Sequence, residues 1–251
     1  MEKPISNDGT LNNKEVFDFK RLLIKTKISE YKDHLLFQLG LKSYRRFEFI
    51  DIKIPDSKLA VLAIEEANDV YDISLLKHCY RTYFFSAGLS ISQNLKVDNE
   101  HLFITSILHD VGLTNQHNHI CSQECFANYG GEFIKQFAIT NGVDKLKAES
   151  MQLTAAMHLF PYVDRKKNGN EAYLLSKAAA MDVIGTHSFQ LPVEFIRKTN
   201  FEFSRIDFKE NIINTMKTLN HKENTRADIL IKMGFSKLAI DNKLDNEVYK
   251  S

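Results

Sequence analysis

Apolar residues recur every three or four positions along most of this chain, which is the spacing of an amphipathic helix. The pattern predicts helices over residues 16–24, 31–41, 56–71, 74–94, 99–108, 126–140, 145–159 and 171–184. From residue 192 to about residue 233 the periodicity weakens, and we expect further helices there. Asp56 or Ser57, and later Asp98, stand where helix N-caps are needed.

Two internal stretches and both ends depart from this pattern. Between residues 44 and 57 apolar residues alternate briefly before a proline, which fits a short strand or an extended connector, and we favour the connector. The run DRKKNGNE (164–171) predicts a solvated loop, or the rim of a lid over a site. Residues 1–13 look like a loose leader, and the polar tail from residue 242 is expected to fray.

Glycine and proline are scarce, at 10 and 4 of the 251 residues. An all-β fold needs many turn residues, so this scarcity favours an all-α fold with short connections. Because 43% of the residues are hydrophobic, the chain can bury a sizeable core. No internal repeat or linker is visible, and we expect one helical domain with N- and C-terminal elaborations.

Charge and apolar content narrow the classes of partner. The formal net charge is +1, so no global field attracts nucleic acid, although a local basic patch stays open. No apolar run approaches the length of a membrane span, which argues against a membrane partner. Residues 1–20 lack the apolar core of a secretory signal, and we expect a cytoplasmic protein.

The three cysteines are an odd set and form no CxxC pair. Cys121 and Cys125 are four positions apart and could begin a zinc site, but no matching second pair follows. Free thiols in a reducing compartment are therefore the favoured interpretation.

The candidate chemistry lies in histidines and acids embedded in apolar helices. His109 and Asp110 end the apolar segment FITSILHDVG. His78 lies in LLKHCYRTYFF, and Asp182 lies in LLSKAAAMDVIG. Such side chains need polar partners in a protein interior. Two imidazoles and two carboxylates form a mixed nitrogen and oxygen donor set that suits a divalent transition metal and leaves positions open for water and substrate.

The order of these residues, H…HD…D with the pair in LHDVG, resembles the HD-domain superfamily of metal-dependent hydrolases. HCYRTY is similar to the first helix of that family, SILHDVGLT to the second and AAAMDVIG to the last. The resemblance implies an all-α bundle over residues 56–190, with residues 1–55 and 191–251 as helical extensions packed on it. It also implies that the metal is bound by His78, His109, Asp110 and Asp182.

Binuclear members of the superfamily carry further histidines between the HD pair and the last aspartate. Here His117 and His119 follow the pair and His158 lies nearer Asp182, but the segment CFANYGGEFIKQF holds no histidine. The incomplete set favours one divalent transition metal (zinc, iron, manganese or nickel). His158 would then line the substrate pocket or support the site. A second metal bound through His117, His119 or His158 is the alternative.

Within the superfamily, the segments HCYRTYFFSAGL, SILHDVGLT, YGG and MDVIG are similar to cyanamide hydratase and its relatives, which add water across a nitrile-like bond. That similarity implies a hydratase or hydrolase acting on a small molecule, with Asp110 and His158 as candidate catalytic groups. Ala127 departs from the relatives, in which an acidic residue follows the phenylalanine, and this departure argues against cyanamide itself as the substrate.

Phosphoester hydrolysis, for example of a nucleotide, is the alternative activity and would need a cation to hold the phosphate. Arg81 is one turn from His78 and is the candidate, unless it pairs with an acid such as Asp110 or Glu149.

Thr114 and Asn115 directly follow the HD segment, where contacts with a small-molecule substrate are expected. A metal-binding ligand sensor without catalysis is a further possibility. The two extensions either cover the bundle or form the interface of a homo-oligomer, and the sequence leaves both open.

Overall fold

The computed structural model describes residues 8–249, and its regular structure over that range is helical. The α-helices are α1 (Asn13–Gln38), α2 (Lys58–Val70), α3 (Ile73–Ser92), α4 (Asn99–Leu108), α5 (Phe126–Thr140), α6 (Lys145–Ala156), α7 (Arg165–Ile184), α8 (Val193–Glu202), α9 (Phe208–Thr218), α10 (Arg226–Lys232) and α11 (Phe235–Ile240). Within the described residues extended pairing is limited to one antiparallel bridge, between Thr10 and Thr225. The all-α prediction is confirmed.

Polar caps set where several helices begin. The Ser57 hydroxyl accepts a hydrogen bond from the Ala60 amide at the start of α2, and the Asp98 carboxylate accepts one from the His101 amide at the start of α4. Both caps were predicted from the sequence. The α4 helix ends at Leu108, and a 3₁₀ turn at Val111–Leu113 follows. His109 and Asp110 therefore lie between the end of α4 and this turn.

Helix α3 is the central element of the bundle. It packs against α4, α7, α8 and α9, and its residues are buried on almost every side. A helix that is apolar all round is expected to lie inside a protein. Helices α5 and α6 pack closely against each other, and α6 also contacts α4 and α7. These contacts bring the C-terminal ends of α4, α6 and α7 toward the N-terminal half of α3.

The predicted helix boundaries hold for α4 and α5 and shift elsewhere. One continuous helix, α1, replaces the predicted segments 16–24 and 31–41, because the polar residues between them lie on a solvated helix surface. Residues 44–57 form the favoured connector, with a short 3₁₀ turn at Phe49–Asp51. Helix α6 ends at Ala156, three residues before the predicted end at residue 159.

The prediction of a loop at residues 164–171 is wrong, because α7 begins inside this run. The Asp164 carboxylate accepts a hydrogen bond from the Lys166 amide and caps the helix. The helix is then interrupted at Gly169, whose φ of 89° favours glycine. The charged residues of this run suggested a loop. Instead, Asp164 caps the start of a helix, and Gly169 kinks that helix.

Within residues 8–249, none of the helices combines the length and the apolar character that crossing a bilayer requires.

Glycine at position 130 allows α5 to lie directly on the HD pair. A Cβ atom at Gly130 would lie 2.6 Å from the backbone carbonyl oxygen of His109. Gly130→Ala is therefore expected to lower the free energy of unfolding by about 1–3 kcal/mol, as overpacking does in a tight interior. Thermal unfolding measures the change, with Gln136→Ala on the exposed side of α5 as the control. Equal stability of both variants would show that the helix contact is not tight.

Candidate metal centre

The bundle gathers five buried polar side chains around the N-terminal half of α3. His78 comes from α3 itself, His109 and Asp110 from the turn after α4, His158 from the turn after α6, and Asp182 from α7. Each of the five is at most 5% exposed. Apart from the adjacent His109 and Asp110, these residues lie far apart along the chain, and the packing of the helices brings them together.

Three imidazoles face the carboxylate of Asp110. The Nε2 atoms of His78 and His109 lie 3.3 Å and 3.4 Å from its Oδ2 atom. The Nε2 atom of His158 lies 3.4 Å from its Oδ1 atom. The ring of His109 is 5.3 Å from that of His78 and 4.8 Å from that of His158, between ring centroids. The four side chains form one compact cluster.

The Nδ1 atoms of the same imidazoles are held by protein acceptors. Nδ1 of His109 lies 2.8 Å from the Ser106 carbonyl oxygen, and Nδ1 of His158 lies 2.8 Å from the Ala155 carbonyl oxygen. A carbonyl oxygen accepts but cannot donate, so each Nδ1 carries the hydrogen and a neutral ring leaves its Nε2 lone pair free. Those lone pairs point toward a carboxylate, and a cation between them would remove the repulsion.

The pKa shifts follow from burial and from this crowding. Burial lowers the pKa of His109, and burial together with the neighbouring His109 lowers the pKa of His158 to about 3. Burial also acts to lower the pKa of His78, but its hydrogen bonds to Asp110 and Asp182 outweigh burial and raise it. The rings of His109 and His158 are therefore neutral at physiological pH, which is the protonation state that binds metal.

The pKa of Asp110 is held well below its usual range. Burial acts to raise it, but the surrounding His109, His78 and His158 outweigh burial. The carboxylate is therefore ionised and offers negative charge to the space between the imidazoles.

These residues fit a bound divalent cation. Donor atoms of His78, His109 and Asp110 all lie within 4.8 Å of one another, and the Nε2 atom of His158 lies 3.4 Å from the other carboxylate oxygen of Asp110. The Nε2 atom of His109 is buried without a hydrogen-bond partner among residues 8–249. Buried polar atoms are seldom left in this way, and a bound ion would give this nitrogen a partner.

Asp182 lies behind His78 and away from the cluster of Nε2 atoms. Its Oδ2 atom is 2.7 Å from Nδ1 of His78. Arg81 donates to both carboxylate oxygens, from Nε and from Nη2, at 2.8 Å each, and Arg205 donates to Oδ1. The sequence predicted Asp182 as a direct metal ligand. In this geometry the carboxylate contacts the Nδ1 atom of His78 and pairs with Arg81, which is buried, and with Arg205, which is partly buried.

Arg205 was not identified from the sequence. It lies between α8 and α9, in the region of weak periodicity, and its side chain also donates to Asp245 at 2.9 Å. Nearby, the Asn242 side chain donates to the backbone carbonyl oxygen of Asp182. Residues beyond position 190 thus contact Asp182 directly, and no local sequence pattern predicted these contacts.

Of the predicted substrate contacts, Arg81 is fully buried, and its remaining Nη1 donates to the carbonyl oxygens of Phe203 and Ser204. It pairs with Asp182 and not with Asp110 or Glu149, the partners that we considered. The hydroxyl of Thr114 donates to the Val111 carbonyl oxygen and is buried.

Asn115 lines a pocket of about 190 Å³ between the loop after the HD pair and α9. Phe208 also lines this pocket, and its ring stacks on His78 at 4.9 Å. The other residues that line the pocket are uncharged except for Asp72. Of the predicted substrate residues, Asn115 is therefore the one that lies beside an open space near the site.

Of the three histidines considered for a second metal, His158 lies in the cluster, and His117 and His119 have other surroundings. Nδ1 of His117 is 2.7 Å from the Tyr129 hydroxyl, and His119 is exposed. Cys121 and Cys125 are buried free thiols, and the potential metal-binding group within residues 8–249 includes neither. Burial raises the pKa of Cys121 to about 12, so it is a protonated thiol. These positions favour the interpretation of one metal site and free cysteines.

No protein-family model matches this chain, and a search of curated proteins finds no significant relative. The function must therefore be argued from the cluster of His78, His109, Asp110 and His158 and from the residues around it.

Proposed function

We propose that this protein is a metal-dependent enzyme of the HD-domain kind that adds water to a small molecule, as a hydratase or hydrolase resembling the cyanamide hydratase subgroup. One observation carries the proposal: three imidazole Nε2 atoms converge on one ionised, buried carboxylate, and the Nδ1 atom of each ring is held by an acceptor. This arrangement of ligand and outer hydrogen bond is typical of protein metal sites.

His78, His109, Asp110 and His158 would hold one divalent transition metal, such as zinc, iron, manganese or nickel. A bound divalent metal of this kind lowers the pKa of water and polarises a substrate. The Ser106 and Ala155 carbonyl groups and the Asp182 carboxylate fix the orientation of the three rings. Phe208 covers His78 and would limit the access of bulk water.

His158 has two candidate roles that one measurement separates. Its geometry matches that of His109, with a carbonyl oxygen at Nδ1 and a free Nε2, and supports a fourth ligand. The sequence instead suggested a catalytic group beside the substrate. If His158 is a ligand, His158→Ala should lose metal as His109→Ala does; if it moves protons, the variant should keep metal and lose turnover.

Phosphoester hydrolysis is the second candidate function. Arg81 is held by Asp182 and is not free to bind a phosphate. However, a different buried arginine near the site, Arg226, has no carboxylate partner within the described residues. A phosphate group needs such a cation in addition to the metal.

The experiment compares metal-loaded and metal-stripped protein in assays with cyanamide, small nitriles and a panel of nucleoside monophosphates. We expect turnover of one substrate class. This turnover should be lost when metal is removed and should return when metal is restored. His109→Ala should abolish metal binding and turnover, whereas His119→Ala, at an exposed loop histidine, should preserve both. Tightly bound metal without turnover of any substrate would contradict an enzyme and support a ligand sensor.

A further inference from the structure

Arg226 is a fully buried cation with few partners. Its side chain is 0% exposed at the first residue of α10. Nη2 donates to the side-chain oxygen of Asn128 and, at 3.0 Å, to the backbone carbonyl oxygen of Ala156. The guanidinium carbon lies 4.6 Å from the centre of the Phe160 ring, which covers one face of the group.

Most of the hydrogen-bonding capacity of this guanidinium is unused. A guanidinium has five N–H donors, one on Nε and two on each Nη atom. Both donors of Nη2 are taken, while Nε and Nη1 are buried without a hydrogen-bond partner among residues 8–249. Three buried N–H groups therefore have no acceptor in the described part of the chain.

The two other arginines beside the site differ from Arg226. Arg81 forms an ion pair with Asp182, and Arg205 pairs with Asp182 and Asp245. Neither partner of Arg226 is charged. A buried charge without a counter-charge is costly, and a bound ion is one explanation for a buried group that the protein leaves unsatisfied. No carboxylate among residues 8–249 forms an ion pair with Arg226, which is consistent with an anionic partner that the protein itself does not supply.

Arg226 lies directly beside the turn that carries His158. It donates to Ala156, two residues before His158, and stacks on Phe160, two residues after it. An anion held by the free N–H groups of Arg226 would therefore lie close to the His158 side of the candidate metal centre.

We infer that Arg226 binds an anionic oxygen group of the substrate, either a phosphate or a carboxylate, next to the metal centre. The inference rests on the proposed function for its link to catalysis, but the anion site itself can be tested without metal. It names the substrate class as a small anionic molecule, and it disfavours uncharged cyanamide. Phosphate and carboxylate share the acceptor chemistry that the three N–H groups require.

The test titrates metal-free protein with sodium phosphate and with sodium formate, against sodium chloride at matched ionic strength, by calorimetry and thermal unfolding. Metal-free protein is used so that binding of these anions to a metal cannot contribute. We expect saturable binding and a rise in Tm, because a ligand that binds only the folded state stabilises it. The anion that binds more tightly identifies the class of group.

Arg226→Gln should weaken that binding by at least about tenfold, since charge-assisted hydrogen bonds are lost. Arg46→Gln, at an exposed arginine, removes the same charge and should bind as the wild type does. The metal content of Arg226→Gln should be unchanged, so failure of the anion site is distinguishable from failure of the metal site. Equal binding by the wild type and Arg226→Gln, or no binding by the wild type, would overturn the inference.

If Arg226→Gln does not fold, the wild-type protein decides the question. Phosphate or formate must then shift the amide resonances of Arg226, Ala227 and Phe160 saturably in NMR spectra. Unchanged resonances at these positions would overturn the inference equally.

Discussion

Asp110→Asn is expected to lower the affinity for a divalent metal by more than about 100-fold, because loss of an outer partner alone typically costs 10–100-fold. Asp110 is the carboxylate that the three Nε2 atoms face, and the substitution removes both its charge and one metal-binding oxygen. Calorimetric titration with zinc or manganese measures the affinity, and elemental analysis measures the metal content after purification. Turnover should fall with occupancy.

The control for this substitution is Asp144→Asn at the N-cap of α6, where asparagine caps a helix as well as aspartate does. It makes the same chemical change outside the site and should leave metal affinity as in the wild type. The Tm of each metal-free variant is needed as well, so that lost metal binding is not confused with unfolding. Wild-type metal affinity in a folded Asp110→Asn variant would refute the proposed centre.

Asp182→Asn is expected to lower the free energy of unfolding by about 3–5 kcal/mol, which is typical when one partner of a buried ion pair is removed. Arg81 and Arg205 both pair with this carboxylate; Arg81 would lose its counter-charge, and Arg205 would keep only its pair with Asp245. Denaturant unfolding measures the change. Glu194→Gln, which breaks an exposed pair with Arg197, should cost no more than about 1 kcal/mol.

The same variant separates the two roles considered for Asp182. If its carboxylate orients His78, as the 2.7 Å contact with Nδ1 indicates, metal affinity in the folded variant should fall only about 10–100-fold. If Asp182 is a direct ligand, as the resemblance implies, the loss should match that of Asp110→Asn. Calorimetry under identical conditions distinguishes the two outcomes.

The stabilisation by Asp182 should depend on pH in a defined direction. Burial acts to raise the pKa of Asp182, but Arg81 and Arg205 outweigh burial and hold it well below its usual value. A depressed pKa stabilises the folded state above the unfolded-state pKa, and that stability is lost as the pH falls toward the folded-state pKa. The stability difference between the wild type and Asp182→Asn should shrink as the pH falls below about 4, where the carboxyl begins to be protonated. A difference that persists undiminished below pH 4 would contradict the ion-pair explanation.

The proposed anion site changes which substrates are worth testing first. A metal beside Arg226 would suit a small phosphoester or a carboxylate-bearing nitrile better than a neutral molecule. Ala127 is buried at a position where the resemblance to cyanamide hydratase implies an acid, and this difference agrees with a different substrate. Assays on charged and uncharged members of each class therefore probe the metal site and Arg226 together.

The sequence by itself determined the helical architecture and the buried positions of His78, His109 and Asp110. Helix period, polar caps such as Asp98 and the lack of turn residues act over a few neighbouring residues, so local pattern was sufficient. The same locality explains the failure at Gly169, where one residue kinks a helix through a run that resembles a loop.

Only the tertiary structure decided what the polar side chains do. Asp182 lies 104 positions from His78, and whether it faces a metal or the far side of an imidazole depends on how α7 packs on α3. The place of His158 in the cluster and the pairing of Arg205 depend in the same way on distant helices. Periodicity predicts which face of a helix is buried, but the partner on that face is set by long-range packing. For Arg226 the decisive observation is that Nε and Nη1 have no hydrogen-bond partner among residues 8–249.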